Sequence, residues 1–212
     1  PSTSSAASDV YKRQTGLDLF YGLVLLAIFS LAYSLSGGLK AVAMTDAVQV
    51  ILLIFGGLAV SFIALNIISE SNGVIEGMRV VLNEMPEKFD MILSADNPSY
   101  KDLPGVWILL GLGVWIGHFF YWGFNQYITQ RALAAKDIKE AQKGVMFAAY
   151  LKLLMPIVIV LPGICAAILF PMLEKSDQAY PTMMSLLPNG LLGLTFAALI
   201  AAIVSSLASM SN

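Results

Sequence analysis

Two stretches of this chain, Ala47 to Ser69 and Asn189 to Met210, contain no charged side chain, and a third, Gly144 to Pro171, carries only Lys152. Each is long enough to cross a hydrocarbon core of roughly 30 Å as a helix. Composition points the same way: 58% of the 212 residues are hydrophobic and 12% charged, with a mean hydropathy of +0.76, well beyond an ordinary water-soluble domain. Lipid is therefore the expected solvent. In hydrocarbon every backbone polar group must be satisfied within its own segment, and the short alternating segments of a β-barrel are missing, so the spans are expected to be helices. The fold class that follows is all-α, a multi-pass transmembrane helical bundle.

Five spans are expected, at about 17–36, 41–69, 104–129, 144–171 and 189–210, all within one transmembrane domain covering 15–212. The Ser- and Ala-rich start, within 1–14, reads as a disordered or non-native tail. Between the second and third spans, Arg79, Lys88 and Lys101 face Glu70, Glu76, Glu84, Glu87, Asp90 and Asp96, which marks an acidic external loop. Arg131, Lys136, Lys139 and Lys143 against Asp137 and Glu140 place the next connection in the cytoplasm by the positive-inside rule. Lys40, beside the Gly37-Gly38 turn, then falls on the cytoplasmic side, whereas Lys12 and Arg13 fall outside, against the rule. A formal net charge of −2 with scattered basic residues excludes a nucleic-acid surface. Cys165, the only cysteine, allows neither a disulfide framework nor a cysteine metal site within the chain.

The third span gathers the most chemistry. Glycines at 105, 111, 113, 117 and 123 make a poor continuous helix, and a broken one is expected. His118, Tyr121, Trp122 and Asn125 fall at i, i+3, i+4 and i+7, on one face of any helical part. Such a face suits stacking on a sugar ring and bonding its hydroxyls; it equally suits an interfacial aromatic belt over glycines that let helices approach. His118 has no second histidine with which to build a metal site. Lys152 lies inside the fourth span, where a lone cation costs on the order of 3 kcal/mol, so it either serves a hydrated site or snorkels to the cytoplasmic interface. Pro156 and Pro162 beyond it imply a kink and freed carbonyls. Ala198, Ala202, Ser205, Ser206 and Ser209 form a small, partly hydroxylic stripe, either a close-packing surface or oxygen ligands for a hard cation. Asp46, one turn before Gln49, either guides a cation or pairs at the interface with Lys40.

The strings themselves carry a resemblance. Gly37-Gly38-Leu39-Lys40-Ala41-Val42, followed by Thr45-Asp46 and Gln49, looks like the signature of the sodium/solute symporter family. Trp122-Gly123-Phe124-Asn125-Gln126-Tyr127-Ile128-Thr129-Gln130-Arg131, running on to Leu133-Ala134-Ala135-Lys136, closely resembles its sodium/galactose and sodium/glucose cotransporter branch. Phe147 to Leu153 and Ala201 to Met210 extend the match, which covers about 15–210. The resemblance implies a leucine-transporter-type fold of two inverted five-helix repeats, of which this chain would supply the last two helices of the first repeat and three of the second. It further implies that Tyr121 is the aromatic inner gate stacked on the solute, with Trp122 its neighbour, and that Lys152 bonds a sugar hydroxyl. Ala202, Ser205 and Ser206 match sodium ligands, and Asp46 matches the carboxylate on the sodium exit route. His118 stands where the bacterial galactose carrier has an asparagine touching the sugar, so galactose itself is not implied. Met44 replaces an aromatic residue found in many members.

The function so implied is sodium-coupled symport of a sugar or sugar-like solute by alternating access in the plasma (bacterial inner) membrane. Sodium is the coupling ion, there is no other cofactor, no catalytic residue and no nucleic-acid partner, and the bilayer is the surroundings. Inositol, a sialic acid or an amino acid are rival solutes. Two rivals lie outside transport: an intramembrane enzyme using Ser205 or Ser206 with Lys152 as base, which needs them within hydrogen-bond reach, and a non-transporting membrane subunit.

Overall fold

The computed structural model describes residues 19–90, 92–97, 100, 109–173 and 176–210; the expected tail at 1–14 and residues 17–18 and 104–108 of two expected spans lie outside them. All regular structure among the described residues is helical. In chain order the α-helices are α1 (Leu19–Ile68), α2 (Val74–Glu84), α3 (Val114–Phe119), α4 (Gln126–Leu133), α5 (Ile138–Lys152), α6 (Leu161–Leu169), α7 (Ala179–Met184) and α8 (Asn189–Met210). Among the described residues, three helical runs are long and apolar enough to cross a membrane: Val42–Ile68, Ile138–Leu169 and Asn189–Ala208. A shorter apolar run, Phe20–Ala32, precedes them.

The chain forms two compact units, one of Pro1–Glu84 with Leu151–Asn212, the other of Met85–Tyr150. In the first, α1 is two arms that meet at Gly38, whose φ of 57° and ψ of −174° break the helical path. That φ is left-handed, and glycine adopts it without the Cβ clash that burdens other residues. The second arm runs antiparallel to α8 in near one-to-one register: Asp46 meets Ser205, and ten residues on in the arm and ten back in α8, Gly56 meets Thr195. A Cβ on Gly56 would lie 2.5 Å from the Thr195 Oγ1, so only glycine permits this approach. The first arm reaches α8 as well, where the buried Ser30 hydroxyl donates to the Val204 carbonyl at 3.1 Å.

Another side of the second arm carries the interrupted helix that follows Lys152. Residues Pro156–Val160 are wound as a π-helix, and the Leu161 amide reaches back five residues to the Pro156 carbonyl. The Ile157 carbonyl thereby loses its usual donor, and the next in line, Pro162, has no N–H. Ser61 supplies the missing bond, donating its hydroxyl to Ile157 O at 2.5 Å. The freed carbonyl expected from the two prolines is present, and the regular helix is interrupted at Pro156–Val160. Beside this bond Gly57 lies flush against the Val158 side chain.

At the other end of α1, Glu70, Ser71 and Gly73 all take positive φ, and the Asn72 side chain donates to the Ser69 carbonyl at 2.8 Å. The turn folds α2 back onto the helix end, with Gly77 against the Leu65 carbonyl and Val81 buried.

In the second unit, α3 lies between two π-helical segments, Leu109–Gly113 and Phe120–Phe124, and α4 and α5 follow. Asp137 caps α5, its Oδ1 accepting the Glu140 N–H at 2.9 Å, while Glu140 pairs with Lys143 at 2.7 Å. Carboxylates in a first turn complement the helix dipole.

Candidate functional site

Within the first unit, the structure brings Asp46 of α1 and Ser205 of α8 into contact. The Ser205 hydroxyl donates to Asp46 Oδ1, with Ser205 buried at 6% exposure and Asp46 half-buried. Position explains the pair: Asp46 is the last charged side chain before the uncharged run, and a carboxylate entering hydrocarbon needs a partner. A serine hydroxyl offers one proton and two lone pairs. With the proton committed to Asp46, the hydroxyl keeps acceptor capacity, and hard cations favour oxygen ligands of this kind.

One helical turn along, Gln49 meets the same helix. Oriented to suit its surroundings, its carboxamide nitrogen donates to the Ala201 carbonyl at 3.0 Å, and its oxygen lies 3.1 Å from the Ala202 nitrogen. Two polar contacts one turn apart thus join the second arm of α1 to α8. Ala202 is half-buried and Ser206 exposed. Lys152 ends α5, belongs to the same unit and is exposed.

The expected solute-facing residues lie in the second unit. His118 sits in the last turn of α3. Tyr121 and Trp122 lie in the π-helical Phe120–Phe124 segment and meet edge to face, with ring centroids 5.3 Å apart at 83°. The helix is broken at Asn125, whose ψ of 110° is extended. Its N–H still closes on Phe120 O, and its carbonyl accepts the amides of Ile128 and Thr129 and the Thr129 hydroxyl, which starts α4. The single α-helical face expected for His118, Tyr121, Trp122 and Asn125 therefore needs correcting. Bonds to i−5 wind the chain more loosely than α-spacing assumes, and Asn125 has left the helix. Single π-turns of this kind recur at functional sites.

Sequence reasoning assigns no role to three polar residues that the structure puts to use: Gln49, Ser30 and Ser61. Only Ser61 has a findable signal, because Pro162 inside an apolar span demands a donor from somewhere for a freed carbonyl.

A family model described as the sodium:solute symporter family matches residues 3–212. The chain belongs to this family. Among curated symporters, the sodium/glucose cotransporter of Vibrio parahaemolyticus is 45% identical over 214 residues, covering 93% of this chain and 39% of that protein. Human sodium/myo-inositol cotransporter 2 is 34% identical, covering 92% of this chain and 33% of the relative. The uncharacterized symporter YidK of Escherichia coli K12 is 35% identical, covering 93% and 34%. The chain thus spans between a third and two fifths of the length of these relatives. Family membership and the apolar helices together make this a membrane protein of the symporter class.

Proposed function

We propose that this chain is the central segment of a sodium-coupled symporter that carries a sugar-like solute by alternating access across the bacterial inner membrane. The observation that carries the proposal is the Asp46–Ser205 pair, an oxygen-rich contact between two apolar spans. In this reading Ala202, Ser205 and Ser206 supply sodium ligands, and Asp46 receives the ion as it leaves. Tyr121 stacks on the solute with Trp122 behind it, His118 and Asn125 line the same site, and Lys152 bonds a solute hydroxyl. The five spans form one transmembrane domain within a leucine-transporter-type inverted repeat, and helices outside this chain complete both sites. Asn125, where the helix opens, supports a midplane site, because transporters bind solutes at discontinuous helices.

The energetics make coupling worthwhile. One sodium ion contributes about 2.3 kcal/mol per 100 mV, and a tenfold gradient adds about 1.4 kcal/mol. At 1.4 kcal/mol per decade the two sustain solute accumulation of several hundred-fold.

The test is uptake of labelled glucose, galactose and myo-inositol by the full-length transporter in proteoliposomes, with sodium or choline outside. Uptake that needs sodium supports the reading; uptake indifferent to sodium overturns it. Inositol is the second solute reading, favoured by the myo-inositol cotransporters among the relatives, and the same panel separates it from glucose.

A further inference from the structure

Asp46 and Gln49 lie three residues apart on one arm of α1, and Ser205 and the Ala201–Ala202 peptide lie three to four residues apart on α8. The two contacts are therefore successive rungs between the same two helices. They differ in what they hold. Asp46 engages a side chain, which turns freely about its own Cα–Cβ bond. Gln49 engages main chain, the Ala201 carbonyl, and so bears on where the α8 backbone itself stands. A displacement of α8 that broke the Gln49 contacts would carry Ser205 with it.

We propose that Gln49 is a positioning residue of the cation site: its carboxamide holds the Ala201–Ala202 peptide where Ser205 reaches Asp46. The proposal rests on the sodium-site reading above and adds to it a residue that bonds neither ion nor solute. Three observations support it. Gln49 is the only uncharged polar side chain between Asp46 and Ser61, so nothing else on that stretch of the arm can grip a backbone. The carboxamide lies against one peptide unit, its nitrogen 3.0 Å from the Ala201 oxygen and its oxygen 3.1 Å from the Ala202 nitrogen, so a shift of that peptide breaks the bond. Its partner Ala202 is itself one of the expected ligands, so an error in Gln49 is passed to the ion's surroundings without an intermediary.

The experiment compares Gln49→Leu, similar in size but without hydrogen-bonding groups, with wild type and with Val48→Ala, a control at a neighbouring position that is 60% exposed. Full-length transporter in proteoliposomes is assayed for half-saturating sodium, for solute KM at saturating sodium, and for the ratio of sodium- to lithium-driven uptake. Losing a bond worth roughly 1 kcal/mol net raises half-saturating sodium about fivefold. Solute KM at saturating sodium is expected to stay put, the sodium-to-lithium ratio to fall, and Val48→Ala to match wild type. Unchanged sodium affinity and ion preference in a well-expressed Gln49→Leu overturns the proposal, as does an equal loss in Val48→Ala. Should Gln49→Leu fail to express, Gln49→Asn keeps the amide one methylene short, and wild-type sodium affinity there is equally fatal. Wild-type uptake without any sodium dependence would instead defeat the symporter reading itself, so the two failures are distinguishable.

Discussion

Ser61→Ala is expected to destabilise the full-length transporter by about 1–2 kcal/mol, the range for orphaning a buried acceptor, and by far less when Pro162 is also replaced. The Ile157 carbonyl has lost Leu161 to the π-helical bond with Pro156, and Pro162 offers no N–H, which leaves Ser61 as its donor. Hydrogen bonds between membrane helices average only about 0.6 kcal/mol, because the broken partners usually find others. Here the backbone has no substitute to offer, so the cost belongs above that average. Replacing Pro162 with alanine restores an amide to the ladder, and the Ser61 hydroxyl becomes redundant. The four-variant cycle is therefore expected to show a coupling energy of about 1 kcal/mol, well outside the additivity of independent sites. Sodium dodecyl sulfate titration in mixed micelles, followed by tryptophan fluorescence, measures all four stabilities. Equal losses for Ser61→Ala in the wild-type and Pro162→Ala backgrounds, within about 0.3 kcal/mol, would refute the idea that this serine answers the proline.

Other substitutions probe the remaining features. Ser205→Ala removes a hydrogen bond to a charged group, worth roughly 1.5–3 kcal/mol, and is expected to raise half-saturating sodium at least about tenfold with little change in solute KM at saturating sodium; an unaltered sodium curve counts against the cation site. Tyr121→Ala and Lys152→Ala in the full-length transporter are each expected to reduce labelled-solute uptake, and normal flux in both rejects the solute-site assignment. Gly57→Leu drives a side chain into Val158 and is expected to cost about 1–3 kcal/mol by overpacking, read as a lowered Tm, whereas Gly163→Ala, with open space around its Cα, is expected to leave Tm unchanged or higher. Burial raises the Tyr180 phenol above its ordinary 10.0. Its folded form resists ionising, so the associated stability is complete below the unfolded pKa and is lost as pH climbs through the folded one. Tyr180→Phe should remove that alkaline increment, and an identical alkaline profile in the variant contradicts it.

What can be read from sequence, and what cannot, divides along a physical line. Absence of charge in Ala47 to Ser69 and Asn189 to Met210 announces helices in lipid without reference to any neighbour, and the structure has apolar runs at Val42–Ile68 and Asn189–Ala208. Pro156 and Pro162 likewise act through local backbone chemistry, and the interruption sits at Pro156–Val160. Facing is another matter. A span that is apolar all round has no polar side to indicate which residues look inward, so nothing within the second arm says that Gln49 meets α8 or that Ser61 meets a carbonyl 96 residues away. Family resemblance singles out Asp46 and Ser205; their contact depends on the antiparallel register of two helices, which no local pattern encodes. The face drawn through His118, Tyr121, Trp122 and Asn125 needs correcting for a related reason. Spacing arguments assume 3.6 residues per turn, and the choice between α and π winding at Phe120–Phe124 is not visible in residue type.

The two interruptions of regular helix differ in a way that bears on function. At Pro156–Val160 the exposed acceptor is closed off inside the protein by Ser61, so that break is sealed and serves packing. At Asn125 the chain leaves one helix and begins another. There the Asn125 N–H closes on Phe120 O while its carbonyl accepts the Ile128 and Thr129 amides, so one residue ends the first helix and starts the second. Tyr121 and Trp122 lie immediately before this break and meet edge to face, and under the proposed function theirs are the faces on which a solute would stack. The sealed break can therefore be straightened with loss of stability alone, whereas straightening the one at Asn125 would, under the proposed function, also displace Tyr121 and Trp122 and so reduce solute uptake.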